Sequence, residues 1–286
     1  MRTMMKRNHL LRRAVISLTG SERTSFLNGL ITGDAQSLPV NSTCWTAMLN
    51  AQGRIQTLFF LWKTETSLLL DLPENQVDSF MKSLRRFRLR ADVQIERLDH
   101  LVLTGAPDIP PLENAIIQAM DPRHPALGWR ALVPVSSGDD NDFSKDPTLL
   151  SRRLLIGVPD DEDIIIGQTL VLEANMDHLN GVSWTKGCYL GQEVTARTHY
   201  RGLIKKRILP VVSVTGQTLP DGGTVTLNGQ DVGELRSREG QRGLALLHRK
   251  AWSTEAELML GDQPIRLDWP DWLPKNDSSE EGQQPT

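Results

Sequence analysis

The chain has 286 residues, of which 39% are hydrophobic and 23% are charged, and its formal net charge is −3. This composition is typical of a globular protein with enough length for one large domain or two ordinary ones, and it excludes the disordered and fibrous classes. The small negative charge excludes a basic field over the whole surface, and no apolar run reaches the ~18 residues of a membrane-spanning helix. We therefore expect no membrane contact, and we do not favour nucleic acid as a partner, since any such affinity would have to be local.

The chain starts with a basic stretch, Met1–Arg13, that contains no acidic residue. No apolar secretory core follows it, because the strand-like run Ala14–Leu18 begins at once. We interpret the stretch as the solvated start of a bacterial cytoplasmic chain. For a eukaryotic source, the expected compartment is the mitochondrial matrix.

The first third of the chain predicts helices and strands in alternation. Gly20–Leu27 has the pattern of a helix start, with Ser21 as its N-cap. Thr43–Leu49 and Ile55–Trp62 are strand-like, and the turn composition of Asn50–Gly53 between them predicts a hairpin.

A third strand is expected at Leu68–Leu72, a helix at Glu74–Arg88 and a further strand at Val93–Glu96. The helix gathers basic residues toward its C-terminus, where the helix dipole favours them. They are Lys82, Arg85, Arg86 and Arg88. The cluster is either a solvated helix end or a docking surface for an anionic ligand tail or a protein partner.

The stretch Pro107–Pro147 is irregular and rich in proline, which predicts a surface insertion that is mobile in part. A second ordered stretch begins near Ile156. After Lys205–Arg207, short strand-like runs separated by glycines predict a small β-barrel. These runs are Ile208–Val214, Thr224–Leu227, Val232–Arg236 and Leu244–Leu247. The predicted domains are thus residues 1–205 and residues 206–274, followed by a polar, disordered tail at 275–286.

The chain has two cysteines, Cys44 and Cys188, and they do not form a CxxC pair. This excludes a disulfide framework and a self-contained zinc or cluster site, which needs about four soft ligands. No metal site is therefore predicted, and any sulfur chemistry must use one thiol. Cys44 lies in a strand-like run beside Trp45, which favours plain core packing.

Cys188 lies between Gly187 and Gly191, which allow a sharp turn and the close approach of a ligand. The helix-forming composition of Gln192–Arg197 places Cys188 just ahead of a helix N-terminus, and Lys186 lies two residues before it. Both features favour a thiolate, the form that a nucleophile or a metal-binding sulfur needs. The alternative is a structural cysteine.

Glu173 follows a strongly apolar run. A carboxylate at a pocket wall can accept two N–H groups from a heterocycle, whereas one at a helix start only complements the helix dipole. Spacing alone does not decide between these two roles. His199, Tyr200 and Arg201 are interpreted as the solvated face of the helix that follows Cys188.

The run Lys186–Glu193, with the letters KGCYLGQE, followed by Ala196-Arg197 and Arg201-Gly202, closely resembles the signature of the YgfZ family. Members of this family are folate-binding relatives of the glycine-cleavage aminomethyltransferase and are linked to iron–sulfur cluster maturation. The likeness extends over most of the chain. Further matching segments are Gly20–Leu38, Asn50–Arg54, Arg86–Val93, Asp121–Arg123, Gly128–Arg130, Glu173–Asn175 and Gly243–Leu247.

The resemblance implies an α+β fold: a folate-binding domain of mixed α/β layers around a central cavity, followed by a small β-barrel. It implies tetrahydrofolate or a one-carbon derivative as cofactor, with Glu173 matching the carboxylate that holds the pterin ring. Cys188 matches the cysteine that marks the family and becomes the reactive residue, and Lys186, Tyr189 and Arg197 complete the cofactor-binding set. The implied partners are iron–sulfur client proteins and the assembly machinery.

The chain departs from the aminomethyltransferases where they carry paired aspartates, since it has Thr57 and Leu58 there. Without a carboxylate, the proton handling of one-carbon transfer has no obvious agent. We therefore expect an accessory factor for cluster assembly or repair rather than an enzyme. The alternatives are a folate-dependent aminomethyl or one-carbon transferase, and a module that binds RNA or protein through the basic patches Arg85–Arg90 and Lys205–Arg207, for example as an accessory of tRNA modification.

Overall fold

The computed structural model describes residues 13–108, 110, 112–134, 148–253 and 255–275. The predicted basic start, apart from Arg13, and the predicted disordered tail, apart from Lys275, lie outside this part of the chain. Within it, no helix is long and apolar enough to cross a membrane.

The first sheet has five antiparallel strands in the order β2-β3-β4-β1-β5. Its strands are β1 (Arg13–Thr19), β2 (Ser42–Leu49), β3 (Ile55–Lys63), β4 (Leu68–Pro73) and β5 (Gln94–Leu98). Strands β2 and β3 pair from Ser42 opposite Lys63 to Leu49 opposite Ile55, which confirms the predicted hairpin. The central strands are apolar nearly throughout because both faces of the sheet are covered.

Two helices, α1 (Arg23–Asn28) and α2 (Val77–Arg88), contribute to the apolar cluster on one face of this sheet. The predicted Ser21 cap of α1 is wrong. Glu22 occupies the N-cap position without a capping bond, and the Ser21 hydroxyl donates instead to the Asp92 carboxylate at 2.7 Å. For α2 the predicted extent is confirmed, although its first turn, Glu74–Gln76, is a 3₁₀ helix.

The predicted surface insertion is wrong over much of its length, because it supplies two strands of a second sheet. These are β7 (Ile117–Met120) and β8 (Trp129–Pro134), which pair with β6 (His100–Gly105) in the order β6-β8-β7. The prolines and Gly128 form the turn between the strands, not a long loop. Residues 135–147 lie outside the described chain.

The last third of the described chain forms a closed six-stranded barrel in the order β10-β11-β12-β9-β14-β13, which confirms the predicted barrel. The predicted runs correspond to β9 (Lys206–Ser213), β10 (Thr224–Leu227), β11 (Gln230–Glu239) and β12 (Arg242–His248). The strands β13 (Leu258–Leu260) and β14 (Gln263–Leu267) were not predicted, because β13 has only three residues and β14 contains a proline, Pro264, which weakens a strand pattern.

Two further helices, α3 (Leu149–Ile156) and α4 (Gln192–Tyr200), lie between the sheets and the barrel in sequence. The fully buried Arg207 of β9 ties the barrel to the preceding segment. Its guanidinium donates to the Leu172 carbonyl, the Asn175 side chain and both carboxylate oxygens of Asp177. The Ile208 N–H also donates to the Glu173 carbonyl at 2.8 Å, so the barrel fixes the backbone of Glu173.

Candidate functional site

Cys188 is exposed and its thiol forms no disulfide. Helix α4 begins four residues later, as the sequence predicts, and Gly191 precedes it with φ +81°. A Cβ on Gly191 would lie 2.6 Å from the Asn50 carbonyl oxygen, so only glycine lets the start of α4 rest on the β2–β3 turn. The sulfur thus lies on a short exposed segment whose C-terminal end is firmly packed.

Lys186 fastens the same segment from its other side. Its ammonium donates to the carbonyls of Asn28, Ile31 and Gly33 at 2.6, 2.7 and 2.6 Å. All three donors of the ammonium are engaged, and burial lowers the pKa of Lys186 to about 8. Lys186 therefore holds the Cys188 segment against the chain that leaves α1.

The two other predicted neighbours of Cys188 have different environments. Tyr189 is buried with its ring centroid 4.9 Å from the Lys186 ammonium, and burial raises the pKa of Tyr189 to about 12. Arg197 is exposed on α4, five residues after Gln192, the first residue of the helix. Of the predicted set, Lys186 and Tyr189 contact each other beneath the segment, and Arg197 faces outward.

The second cysteine has a contrasting environment. Cys44 is half-buried in β2 and packs against the apolar cluster that contains Leu27 and Phe59, which confirms its predicted packing role. Burial raises the pKa of the Cys44 thiol to about 12. Near neutral pH this group stays a thiol, so Cys44 is far less reactive toward electrophiles than an exposed cysteine.

Glu173 lies on the wall of a half-open cavity of about 220 Å³. One of its oxygens accepts the Leu170 N–H at 2.9 Å, and burial raises the pKa of the carboxyl. The cavity lies between α4, the Glu173 segment and the start of the barrel. Its lining residues are Leu170, Leu172, Glu173, Thr198, Leu203, Ile204, Lys205 and Lys206.

The structure does not gather all the predicted site residues around this cavity. Cys188, Lys186, Tyr189 and Arg197 are not among its lining residues. Helix α4 connects the two places, since Thr198 lines the cavity and Gly191, at the other end, follows the Cys188 segment. The predicted site therefore divides into a thiol region and a Glu173 cavity toward opposite ends of one helix.

An aromatic cluster beside the thiol region was missed in the sequence, where His199 and Tyr200 were taken as a solvated face. The rings of Trp184 and His199 stack with centroids 3.9 Å apart, and Tyr200 lies edge-on to both at 5.9 and 5.1 Å. Trp184 lies far from His199 and Tyr200 in the sequence, and the turn through Cys188 brings it back against α4. Four aromatic rings within 17 residues, those of Trp184, Tyr189, His199 and Tyr200, were the signal available.

Thr57 and Leu58, which the family resemblance matches to the aspartates of the aminomethyltransferases, are both buried in β3. Leu58 belongs to the largest apolar cluster of the described chain. No group of three or more His, Cys, Asp or Glu side chains in the described residues is arranged to hold a metal ion.

Comparison with known proteins adds sequence relatives. Residues 205–275 match the profile of the CAF17 C-terminal beta-barrel domain. The chain is 34% identical to the mitochondrial iron–sulfur cluster assembly factor IBA57 homolog of Coccidioides immitis, over 71% of this chain and 55% of that protein. The chain thus spans about half the length of this relative. It is 32% identical to mitochondrial IBA57 of Homo sapiens, over 92% of this chain and 83% of the human protein.

Comparison with solved structures addresses the fold. The glycine cleavage system aminomethyltransferase T of Bartonella henselae superposes with a TM-score of 0.75 at 13% identity, covering 92% of this chain and 85% of that one. The implied aminomethyltransferase-like fold with a C-terminal barrel is thereby confirmed. Given the extent of the match to human IBA57, the chain belongs to the IBA57/CAF17 family of iron–sulfur cluster assembly factors, the YgfZ-like family that its cysteine motif indicates.

Proposed function

We propose that this protein binds a tetrahydrofolate in the Glu173 cavity and uses the Cys188 thiol in the assembly or repair of iron–sulfur clusters in client proteins. The observation that carries the proposal is the exposure of Cys188 on a segment fixed at both ends, by Lys186 and by Gly191. An exposed sulfur on fixed backbone can meet another protein without a conformational change. A half-buried sulfur such as that of Cys44 is not presented in this way.

The residues around Glu173 fit one part of a folate. The cavity of about 220 Å³ is smaller than the ~300–1,000 Å³ pockets that enclose whole drug-sized ligands, so it suits a pterin ring with the tail outside. One Glu173 oxygen is taken by Leu170, and the other is left for donors of the ring. Such donors would stabilise the charged carboxylate and lower the raised pKa of Glu173 on binding. Folate, when bound, supplies a carrier for one-carbon units.

The role of the thiol is tested in cells that lack the endogenous protein and are grown under oxidative stress. We expect Cys188→Ser to abolish the recovery of a cluster-dependent enzyme, because serine is neither a soft ligand nor a thiolate nucleophile. Cys44→Ser is the matched control and should support full recovery, since Cys44 is half-buried and its pKa is raised. Full recovery with Cys188→Ser would remove the thiol from the proposal.

The folate site is tested by titrating the purified protein with tetrahydrofolate under anaerobic conditions and following heat or fluorescence. Glu173→Gln keeps the shape of the side chain but replaces one acceptor oxygen by a donor, so we expect the Kd to rise by about tenfold or more, equivalent to ~1.4 kcal/mol. Glu193→Gln on the exposed face of α4 is the control and should leave the Kd unchanged. Equal affinity of both variants would argue that the pterin does not reach Glu173.

We propose that the protein is an accessory factor and does not turn over a substrate as an enzyme. We also propose that Lys186, Tyr189 and Arg197 contribute to cofactor binding from the positions described. The absence of a carboxylate at positions 57 and 58, which are Thr57 and Leu58, supports an accessory role over one-carbon transfer.

The named relatives are mitochondrial proteins. For this chain we propose the mitochondrial matrix if its source is eukaryotic and the cytoplasm if it is bacterial.

A further inference from the structure

The end of α4 and the segment leading into the barrel form an exposed surface of mixed character, which we name the basic–aromatic surface. Its apolar centre is Tyr200, which is 70% exposed, and Leu203, which is 48% exposed. Exposed cations lie on the same stretch of chain and on the barrel turn that is hydrogen-bonded to it. They are Arg197, Arg201, Lys205, Lys206 and Lys250.

One cation of this surface, Lys206, lies near a carboxylate, because Lys206 and Glu173 line the same cavity. None of the five cations forms an ion pair with a described acidic residue. The Arg249 N–H donates to the Lys205 carbonyl at 2.8 Å and Lys206 pairs with His248 between β9 and β12, so Lys205, Lys206 and Lys250 stand close together. The helix dipole accounts for cations in the last turn of α4 but not for those beyond it or in the barrel. A local positive field remains on a chain whose net charge is −3.

The aromatic centre is held in place before any partner arrives. Trp184 stacks on His199, and Tyr200 packs edge-on against both rings while most of its own surface stays in solvent. A ring fixed in this way loses little conformational entropy on binding. Tyrosine, tryptophan and arginine are also the residues that most often dominate the energy of protein interfaces.

The surface lies close to the reactive sulfur. Trp184 and Cys188 are four residues apart, and four residues of fully extended chain span at most ~14 Å. Trp184 in turn contacts His199 and Tyr200. A protein that covers Tyr200 and Trp184 would therefore be large enough to reach the Cys188 segment.

We propose that the basic–aromatic surface docks an acidic protein surface that carries an apolar side chain, and that this docking presents the partner to Cys188. Only the role of the thiol after docking rests on the proposed function. A protein fits better than RNA, because the Trp184 and His199 rings already cover each other and the second apolar group, Leu203, is aliphatic. Bases need open aromatic faces on which to stack.

The test uses thiol–disulfide exchange in a Cys44→Ser background. The probe is a short synthetic peptide of Asp, Glu and Leu that carries a pyridyl disulfide. The Cys188 thiolate attacks the peptide sulfur, a new disulfide forms, and 2-thiopyridone leaves with the electron pair of the broken S–S bond, which absorbance records. We expect the acidic peptide to react about tenfold faster than a matched Asn/Gln/Leu peptide, and we expect salt to reduce this advantage.

Two variants locate the effect. Arg201→Glu combined with Lys250→Glu should remove the advantage of the acidic peptide, and Tyr200→Ser should reduce it severalfold. Neither should change the rate with a small neutral pyridyl disulfide, which reports the thiol alone. Arg85→Glu combined with Arg86→Glu on α2 makes the same change of charge elsewhere and should preserve the advantage.

Three results would overturn the docking proposal. The first two are equal rates for the two peptides and loss of the acidic peptide's advantage in the α2 control variant. The third is that single-stranded RNA inhibits the reaction of the acidic peptide at a lower concentration than the same peptide without its pyridyl disulfide does. The last result would assign the surface to nucleic acid. Failure here is distinct from failure of the proposed function. If Cys188→Ser fails in cells while the peptides react equally, the thiol role stands and the docking surface falls.

Discussion

Single side chains decide how the Cys188 segment is presented, and Lys186 is the clearest case. Its ammonium satisfies three carbonyls of the chain that follows α1. Buried carbonyls that lose such a partner are costly, and no other side chain donates to these three in the described structure. Lys186 is therefore a structural clamp, whatever else it contributes to a ligand.

We expect Lys186→Met to lower the free energy of unfolding by about 2 kcal/mol, because methionine fills the same space but leaves the carbonyls without a donor. Urea unfolding followed by circular dichroism measures the change. Lys205→Met is the control, since Lys205 is exposed and its side chain donates no hydrogen bond to a described residue. A clamp variant as stable as the control would show that water replaces the ammonium without loss.

At the scale of elements, the contact between α4 and the β2–β3 hairpin sets the position of the thiol. Gly191 starts the helix in the left-handed region, and its α-carbon faces the hairpin turn, where Gly53 lies 3.3 Å from the position of an added Cβ. The Leu190 N–H donates to the Gly29 carbonyl at 3.2 Å beside this contact. Two turns and a helix start thus pack with no space for side chains.

The two glycines that flank Cys188 should respond differently to alanine. Gly191→Ala would place a methyl group 2.6 Å from the Asn50 carbonyl oxygen at φ +81°, and we expect a loss of about 2–4 kcal/mol in the free energy of unfolding. Gly187→Ala meets no atom within 4 Å and should be neutral. Denaturant unfolding of both variants compares them. Equal stability would mean that α4 can move away from the hairpin at little cost.

At the scale of the whole molecule, a buried network of ion pairs joins the layers. Arg13 of β1 pairs with Asp71 of β4 and with Asp161, and Arg130 of β8 pairs with the same Asp71. The network continues through Arg123 and Arg153 to the carboxylates of residues 160–163. The Ser237 hydroxyl of β11 donates to Asp163, so the barrel is included. The ion pairs thereby join the two sheets, and a hydroxyl hydrogen bond joins the barrel to the same network.

This network makes stability depend on pH through Asp163. Burial raises the pKa of Asp163 to about 6, although Arg153, the Ser237 hydroxyl and the Asp160 N–H oppose the shift and Glu162 adds to it. The folded state then holds a proton between about pH 4 and pH 6 that the unfolded state has lost. The stabilisation is complete below about pH 4 and is lost as pH rises through about 6.

We expect the wild type to lose about 2 kcal/mol more stability than Asp163→Asn when pH rises from 4 to 7, because asparagine cannot titrate. Urea unfolding at several pH values measures the two slopes, and other titrating groups cancel in the difference. Parallel slopes would place the pKa of Asp163 near its ordinary value.

The sequence by itself determined the features that short-range pattern controls. The hairpin, the barrel strands β9 to β12 and the helix after Gly191 follow from alternation, glycine spacing and helix-forming composition within a few residues. It also distinguished Cys188 from Cys44, since a cysteine between glycines is exposed and one inside an apolar strand is not.

Only the tertiary structure decided which distant groups meet. It placed Glu173 on a cavity wall that does not include Cys188, engaged Lys186 with three carbonyls more than 150 residues earlier, and stacked Trp184 on His199. It also turned the predicted insertion into strands β7 and β8. These outcomes depend on contacts between segments far apart in the chain, whose geometry is set by the packing of whole layers and leaves no periodic trace in the local sequence.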